Sequence, residues 1–590
     1  MSYTYQNGKI IVKEPYFKEM LYHISNECAS LILNGKGSVV GYALANEKDM
    51  MKNGSISLYR NNAPIDIYLE KTVEMFGRCQ TITLHLEDGE FCIKQFLDAS
   101  INGLFTSYSY QSNGAQDEIT VAFCLNKSLE NAVCTENREL RKSSFCFGAS
   151  VPLALCDENR SVYITVGAGK TVHTFLSCGE KPLQALPILT EFEGYEKKMQ
   201  AEIDSVTLPN GLSEDQKALF LSAYFCSLQN YKCLGDYKAF MAGHHYLLPM
   251  RSYYRDSYYT VLPMLRERSA LVKNQILTLA MGIGPSGDCP SAVCFDYSEW
   301  WGNHYDSPSF LAMMLYDYVK YTGDKDILSQ MLNGESVLTR AENAIQKLSS
   351  FADETGLLYK EGPYNQRDWA DEVNRNGYVT YNEVLYARAL YCLSVLFEKI
   401  GESEKAASYA ARFEAVKSAI NEILWDEELG YYVNFKERDF VEKNLSVDTC
   451  FAALFGIADE TRAMRMLENM EQILESKNNR EQKAGDYGVM CVYPFYSRFD
   501  GARNKSSQPY YYHNGANWPY LSAMYAAAKR KYGMEYRYAL ESWFDYNVAR
   551  GNYTPVEFFS PPQKDGSLLQ AWSGVVAFVM DEEISREFWD

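Results

Sequence analysis

Two hydrophobic rhythms divide the chain. Up to about residue 190 apolar positions recur every second residue in short runs, as in Lys9-Ile10-Ile11-Val12, Ser55-Ile56-Ser57-Leu58-Tyr59, Gln80-Thr81-Ile82-Thr83-Leu84-His85-Leu86 and Glu118-Ile119-Thr120-Val121-Ala122-Phe123. A period of two, rich in β-branched residues and broken by Gly, Asn and Asp, predicts strands joined by tight turns; their close spacing predicts a β-sandwich over 1–190. Residues 191–211 predict a linker helix that stops at Pro209-Asn210-Gly211. From Leu212 the period becomes helical. Twelve segments are predicted, near 213–232, 255–265, 269–281, 307–321, 325–349, 381–400, 403–424, 447–455, 460–475, 515–532, 535–549 and 569–580. Turns such as Thr322-Gly323-Asp324 and Gly401-Glu402-Ser403 pair several of them. Twelve helices in six hairpins predict an (α/α)6 barrel over 212–590, and a multidomain β + α protein as a whole.

Three long segments, 282–306, 356–380 and 485–514, interrupt the helices and concentrate Trp, Tyr, Asp, Asn and Gly. Loops of that length in a compact domain are usually functional. If each leads from an inner helix to the next outer one, all three lie on one rim.

Composition narrows the function classes. With 47% hydrophobic and 23% charged residues in 590, the chain is neither disordered nor fibrous. Its formal charge of −19, with no Lys/Arg stripe, argues against a nucleic-acid partner. No apolar run reaches the ~18–20 residues of a membrane span, and Met1-Ser2-Tyr3-Thr4-Tyr5-Gln6 lacks a basic region before an apolar stretch, so no membrane partner is expected. The 15 Cys are scattered without a CxxC pair, as reduced core thiols of a cytoplasmic protein would be. The 46 Tyr, 29 Phe and 8 Trp suit surfaces that stack sugar rings, and equally a large core with wet edges.

Several motifs match only by letter. Gly282-Ile283-Gly284-Pro285-Ser286-Gly287 follows a helix, whereas a dinucleotide site needs a preceding strand. Gly167-Ala168-Gly169-Lys170-Thr171 sits between strands and predicts a hairpin turn, not a phosphate loop. His244-His245 occurs without HExxH, which points to a structural or sugar-contacting role before a metal site. No metal and no cofactor are expected.

Four stretches carry the chemistry. They are 250–259 with Arg255 and Asp256; Gln366-Arg367-Asp368-Trp369-Ala370-Asp371-Glu372; His513-Asn514-Gly515-Ala516-Asn517-Trp518-Pro519; and Pro555-Val556-Glu557-Phe558-Phe559, followed by Gln570-Ala571-Trp572-Ser573. Each joins aromatics to a carboxylate, amide or Arg at a loop or helix start. Hydrolysis of an acetal with inversion needs one carboxyl to protonate the leaving oxygen and a second to activate water, about 6.5–9.5 Å apart. The acid must stay protonated, which apolar or like-charged neighbours favour. Asp371, between Trp369, Asp368 and Glu372, has both kinds of neighbour, and Glu557 suits the opposite wall. Taken singly, Asp368 could be a helix cap and Arg255-Asp256 an ion pair; four such stretches on one helical pattern favour a site.

At these residues the chain resembles glycosidases with an (α/α)6 barrel behind a β-sandwich: the amylo-α-1,6-glucosidase domain of glycogen debranching enzymes, family 63 glycoside hydrolases, and phosphorylases of the cellobiose and chitobiose type. Arg255-Asp256-Ser257 with Leu262-Pro263 resembles the debranching "RD, then LPGL" segment, and Asp306-Ser307-Pro308-Ser309 through Tyr321-Thr322-Gly323-Asp324 resembles "DAS … YxKYTGD". Asp368-Trp369-Ala370-Asp371 resembles both "TWMD" and the phosphorylase "DWND", whose last Asp is the general acid. Glu557 with Gln570-Ala571-Trp572-Ser573 resembles "E … TQAWS", whose Glu is the general base. The 513–519 stretch is similar to "HNGGxWP", common to several of these families. Asp368 stands where debranching enzymes have Thr, and their following "TPR" is missing.

The resemblance implies an inverting, exo-acting glycoside hydrolase, α-glucosidase-like, acting on a carbohydrate. Asp371 and Glu557 would be catalytic; Arg255, Asp256, Trp300, Trp301, Asp368, Trp369, His513, Asn514, Trp518 and Trp572 would bind the sugar. Three alternatives share these features: an inverting phosphorylase using inorganic phosphate, an α-L-rhamnosidase-like hydrolase, and a non-catalytic carbohydrate-binding protein. Nothing in the sequence predicts an oligomeric state.

Overall fold

A computed structural model describes residues 2–13, 20–47, 50–66, 68–113, 117–127, 129–156, 161–302, 304–361, 368–496, 498, 505–562 and 565–590. Contacts divide the chain into two compact units, one of Met1–Asp236, Gly243–Met250 and Asn547–Pro555, the other of Tyr237–Ala242, Arg251–Tyr546 and Val556–Asp590.

The first unit is the expected β-sandwich. A ten-stranded antiparallel sheet has Glu70–Phe76, Cys79–Leu86, Gly89–Phe96, Leu104–Ser112 and Lys170–Cys178 at its middle. It faces a five-stranded sheet centred on Glu118–Cys124 and a four-stranded sheet of Leu21–Ser25, Ala29–Asn34, Val39–Leu44 and Met51–Lys52. Along Cys79–Leu86 buried and half-buried positions alternate, because successive side chains point to opposite faces. Tyr108 of the large sheet meets Phe123 of the second at 5.6 Å between ring centroids, and the buried Gln95 donates to Gly37 O at 2.8 Å to tie in the third. Ala168-Gly169 forms a turn between Ser161–Gly167 and Lys170–Cys178, but it is not the hairpin expected from sequence: the first strand belongs to the five-stranded sheet and the second to the ten-stranded one, so the turn carries the chain from sheet to sheet. Three helices also group here: α1 (Ala185–Leu189), α2 (Phe192–Asp204) and α3 (Glu214–Gln229), the last of them read from sequence as the first barrel helix.

The second unit is helical: α4 (Tyr254–Val261), α5 (Leu265–Met281), α6 (Ser307–Thr322), α7 (Val337–Ser349), α8 (Thr380–Lys399), α9 (Ser403–Ile423), α10 (Phe451–Leu454, prolonging the 3-10 turn Val447–Cys450), α11 (Glu460–Ile473), α12 (Pro519–Lys531), α13 (Arg537–Ala549, its last three residues grouping with the first unit) and α14 (Val575–Met580, prolonging Ala571–Gly574). Helices α4, α6, α8, α10, α12 and α14 each touch the next, and α14 returns to α4, so six helices close an inner ring. Their composition explains the placement. Helix α6 buries residues around its whole girth from Ser307 to Val319, whereas α9 buries only Ala406, Tyr409, Val416 and Ile420, one stripe at helical spacing.

Two further details depart from the sequence reading. The segment 325–349 is not one helix: Met331–Leu332 and Glu335–Ser336 form a hairpin about Asn333-Gly334, both at positive φ, and α7 begins after Ser336, whose hydroxyl accepts from Thr339 N. Asn-Gly is a strong two-residue hairpin signal and outweighs the helical period there. The three long loops lead from outer helices into inner ones, the reverse of the expected direction, since α5, α7 and α11 precede them and α6, α8 and α12 follow. Among the described residues no helix is long and apolar enough to cross a membrane.

One buried ion cluster clamps the ring. Lys529 near the end of α12 donates to Glu475 Oε1 at 2.6 Å and pairs with Glu471 at 2.9 Å, Lys529 and Glu475 both fully buried. Removing one partner of a buried pair leaves the other charge without compensation. Lys529→Met is therefore expected to cost about 3 kcal/mol, read as a lower urea midpoint, and Glu475→Gln in the same chain to restore part of the loss.

Candidate active site

First-turn N–H groups of a helix lack intrahelical partners and carry partial positive charge, so carboxylates and polar side chains gather there. The six inner helices begin on one rim, where side chains link them around the ring. Arg255 in the first turn of α4 donates to Asp306 Oδ2 at 2.7 Å, just before α6, and Tyr381 at the start of α8 donates to the same oxygen at 3.1 Å. Arg255 thus pairs with Asp306, not with its neighbour Asp256. Asp256 instead accepts from Gln570 Nε2 at 3.3 Å, before α14. Burial pushes its carboxyl up to about 7; the Arg255 charge opposes this and the charge of Glu557 adds to it.

The turn bearing Asp371 enters α8 and is held at both ends. Asp368 accepts from Lys360 at 3.0 Å, Arg375 at 2.6 Å, Asn382 at 3.2 Å and the amide of Ala370 at 2.9 Å. Burial alone would raise its pKa, but Arg375 and Lys360 hold it far below the usual carboxylate range. Arg375, itself buried, reaches on to Asp448 at 2.7 Å in the turn that starts α10, and Trp369 donates its indole N–H to the same carboxylate. Asp368, expected to touch sugar, is consumed by this clamp. Gln366 and Arg367 of the same stretch lie outside the described residues.

Trp369, His513, Trp518 and Trp572 form a continuous aromatic wall. Trp369 lies 5.2 Å from His513 and 5.5 Å from Trp518; His513 stacks on Trp518 at 5.1 Å and 18°; Trp518 meets Trp572 at 5.7 Å. Burial, with the charges of Arg375, Arg255 and Lys505, keeps His513 neutral. Its Nδ1 accepts from the amide of Glu372 at 3.4 Å, which assigns the proton to Nε2, 3.9 Å from Asp371 Oδ1. Among the described residues His513 Nε2 and Trp572 Nε1 are buried without a hydrogen-bond partner. Asn514 braces the loop, its Oδ1 accepting from Tyr496 N at 2.8 Å.

Glu557 sits on a short two-stranded segment, its N–H donating to Ser567 O at 2.8 Å and its Oε2 accepting from Ser567 N at 3.2 Å. Burial raises its pKa; the Ser567 amide and the Lys505 charge oppose this, and the charge of Asp371 adds to it. The charge of Glu557 thus reaches Asp256, and that of Asp371 reaches Glu557. A Cβ on Gly566 would stand 2.5 Å from Glu557 Cβ and 2.9 Å from its Oε2, so only glycine fits beside this carboxylate. Trp300 is placed by Arg251, whose guanidinium lies 4.4 Å over its ring and whose Nε donates to Tyr253 OH at 2.9 Å; the charges of Asp256 and Asp371 reach that hydroxyl. Trp301, beside Trp300, is 50% exposed.

Asp306, Arg375, Asp448, Tyr381 and Lys505 were not among the expected site residues. Asp306, Tyr381 and Asp448 lie just before or in the first turn of an inner helix, and Arg375 lies on the loop that leads into α8. Reading those positions on every second helix would have found them. Lys505 reaches Tyr512 at 4.6 Å from its ring centroid, and its sequence context carries no signal.

The carboxylates should titrate as a group. Asp371→Asn removes a like charge and is expected to lower the Glu557 pKa, whereas Lys505→Met removes an opposing cation and is expected to raise it. Carboxyl carbon shifts of the two variants against pH, with Glu557→Gln to assign the resonance, check both directions; unchanged midpoints would separate these groups.

Residues 347–565 match the model of the mannosylglycerate hydrolase MGH1-like glycoside hydrolase domain. No curated protein sequence matches the chain. Among solved structures it is similar to a bacterial glucoamylase complexed with acarbose, with TM-score 0.60 and 12% identity, over 97% of this chain and 98% of that one. These likenesses bear out the six-hairpin glycosidase barrel and the accompanying β-sandwich expected from sequence: the chain has a glucoamylase-like fold, and its residues 347–565 are similar to a glycoside hydrolase domain.

Proposed function

We propose that the protein is an inverting, exo-acting glycoside hydrolase with α-glucosidase-like specificity, in which Asp371 is the general acid and Glu557 the general base. The observation that carries this reading is the placing of Glu557, buried and held by Ser567 on the rim that also carries the aromatic wall of Trp369, His513 and Trp518, with His513 Nε2 3.9 Å from Asp371 Oδ1. Asp371 protonates the glycosidic oxygen as the bond from the anomeric carbon breaks, and Glu557 takes a proton from the water that attacks that carbon from the other face. Lys505 and the Ser567 amide favour the ionised form that a base needs. Asp256 offers a hydrogen bond to a sugar hydroxyl, beside an aromatic wall that takes the ring's C–H face.

The matched family's name specifies mannosylglycerate and the structural relative is a glucoamylase, so glycones from both belong in one substrate screen. We expect turnover of aryl α-glucosides, with the inverted anomer of the sugar first in the NMR spectrum; release of the retained anomer would overturn the mechanism. Asp371→Asn and Glu557→Gln are each expected to lower kcat about 10³-fold in folded protein, and near-normal rates in either variant would remove that residue from its role. Gly566→Ala, by displacing Glu557, is expected to cost about 10²-fold while leaving Tm little changed. Phosphorolysis is the second reading, because Lys505 places a cation beside Glu557. Sugar release that requires inorganic phosphate and yields a sugar phosphate would favour it over hydrolysis.

A further inference from the structure

The turn that carries Asp371 belongs to no helix or strand. Its closing bond runs from Val373 N to Ala370 O at 2.9 Å, with Asp371 and Glu372 at the corner. Side chains on either flank fix where that corner points. Asp368 holds the entry, accepting from Ala370 N at 2.9 Å, and Arg375 on the exit reaches back to Asp368 Oδ1 at 2.6 Å. Both flanks then converge on one atom outside the turn. Trp369 Nε1 and Arg375 Nη1 each donate to Asp448 Oδ2, the second at 2.7 Å, and Arg375 Nη1 also donates to Asn434 Oδ1 at 3.2 Å. Asp448 stands in the 3-10 turn Val447–Cys450 that starts inner helix α10. Asp368, Arg375 and Asp448 are all buried, and the guanidinium lies 5.6 Å from the Trp369 ring centroid and 5.5 Å from that of Tyr381.

We infer that Arg375 and Asp448 are positioning residues for Asp371: the guanidinium, held between Asp368 and Asp448, sets the direction in which the turn presents its corner carboxyl. The inference rests on the reading of Asp371 as the general acid. A buried ion pair gains little stability over apolar packing of like volume. Its charge-assisted bonds are directional, and a planar guanidinium holds two carboxylates at once where an ammonium acts as a point charge. Such precision matters to proton transfer, because a displacement of about 1 Å costs on the order of 10²-fold in rate. Asp448 acts through the turn, since two donors, one before Asp371 and one after it, end on the same oxygen. Neither positioning residue has to touch substrate.

Leaving groups separate this role from a structural one. A dinitrophenolate departs without a proton, whereas an alkoxide needs the acid. The wild-type chain and its variants are therefore compared on a dinitrophenyl and a methyl glycoside of the glycone that the wild type turns over, α-glucose being expected. Asp371→Asn defines the signature of the acid itself, a loss far larger on the methyl glycoside. Asp448→Asn and Arg375→Lys are expected to share it at smaller size: kcat about 10²-fold lower on the methyl glycoside with KM little changed, and within about threefold of wild type on the dinitrophenyl glycoside. Turnover of the dinitrophenyl glycoside also reports that the barrel is folded. Should one of the two variants fail to fold, the other decides. Equal losses on both substrates, near-normal rates on both, or failure of both variants to fold would overturn the inference while leaving Asp371 as the acid. An Asp371→Asn variant with the same loss on both substrates would instead remove the acid itself, and with it anything for Arg375 and Asp448 to position.

Discussion

The helical unit is governed by one constraint: its inner helices are buried around their whole girth, so only their ends can meet a solute. Helix α6, with every residue from Ser307 to Val319 buried, has no free face on which to place a functional group. Polar side chains are pushed to the termini. At the N-terminal end, unpaired N–H groups and the helix dipole make carboxylates cheapest to hold. Asp256, Asp306 and Asp448 all lie within a turn of an inner-helix start, and Asp371 and Glu557 enter on the loops that lead there.

This crowding creates the electrostatic problem that the rest of the rim solves. Several acids in a poorly hydrated space cannot all ionise without partners. Some are neutralised outright, Asp306 by Arg255 and Asp368 by Lys360 and Arg375. Others are left with elevated pKa values, Asp256 and Glu557 among them. The rim thus separates into acids paired with cations, which hold the loops in place, and acids whose carboxyls burial raises.

Much of the fold was legible in advance. The change from period two to helical period marked the sandwich and the barrel, and eleven of the twelve expected helical segments have their counterpart in or largely within the second unit. The misses have local causes. Asn333-Gly334 set a hairpin where only periodicity had been weighed, and α3 groups with the sheets although its composition is that of a barrel helix. Trp369, His513, Trp518 and Trp572 stand out in the sequence, because their motifs are short and contiguous, but only as expected sugar contacts; that they pack on one another in one wall is a result of the fold.

By itself, the sequence determined the two rhythms, the aromatic and acidic residues on the loops, and the turn chemistry that ends each helix, since all of these depend on neighbours within a few positions. Tertiary structure alone decided which acid meets which base. Arg255 turned to Asp306, 51 positions on, and Arg375 to Asp448, 73 positions on. Closing the ring of helices brings such distant residues together, and no local pattern encodes that choice. The state of each carboxyl follows from it, because a charge in a low-dielectric rim is set by what lies within a few ångströms, whatever the separation along the chain.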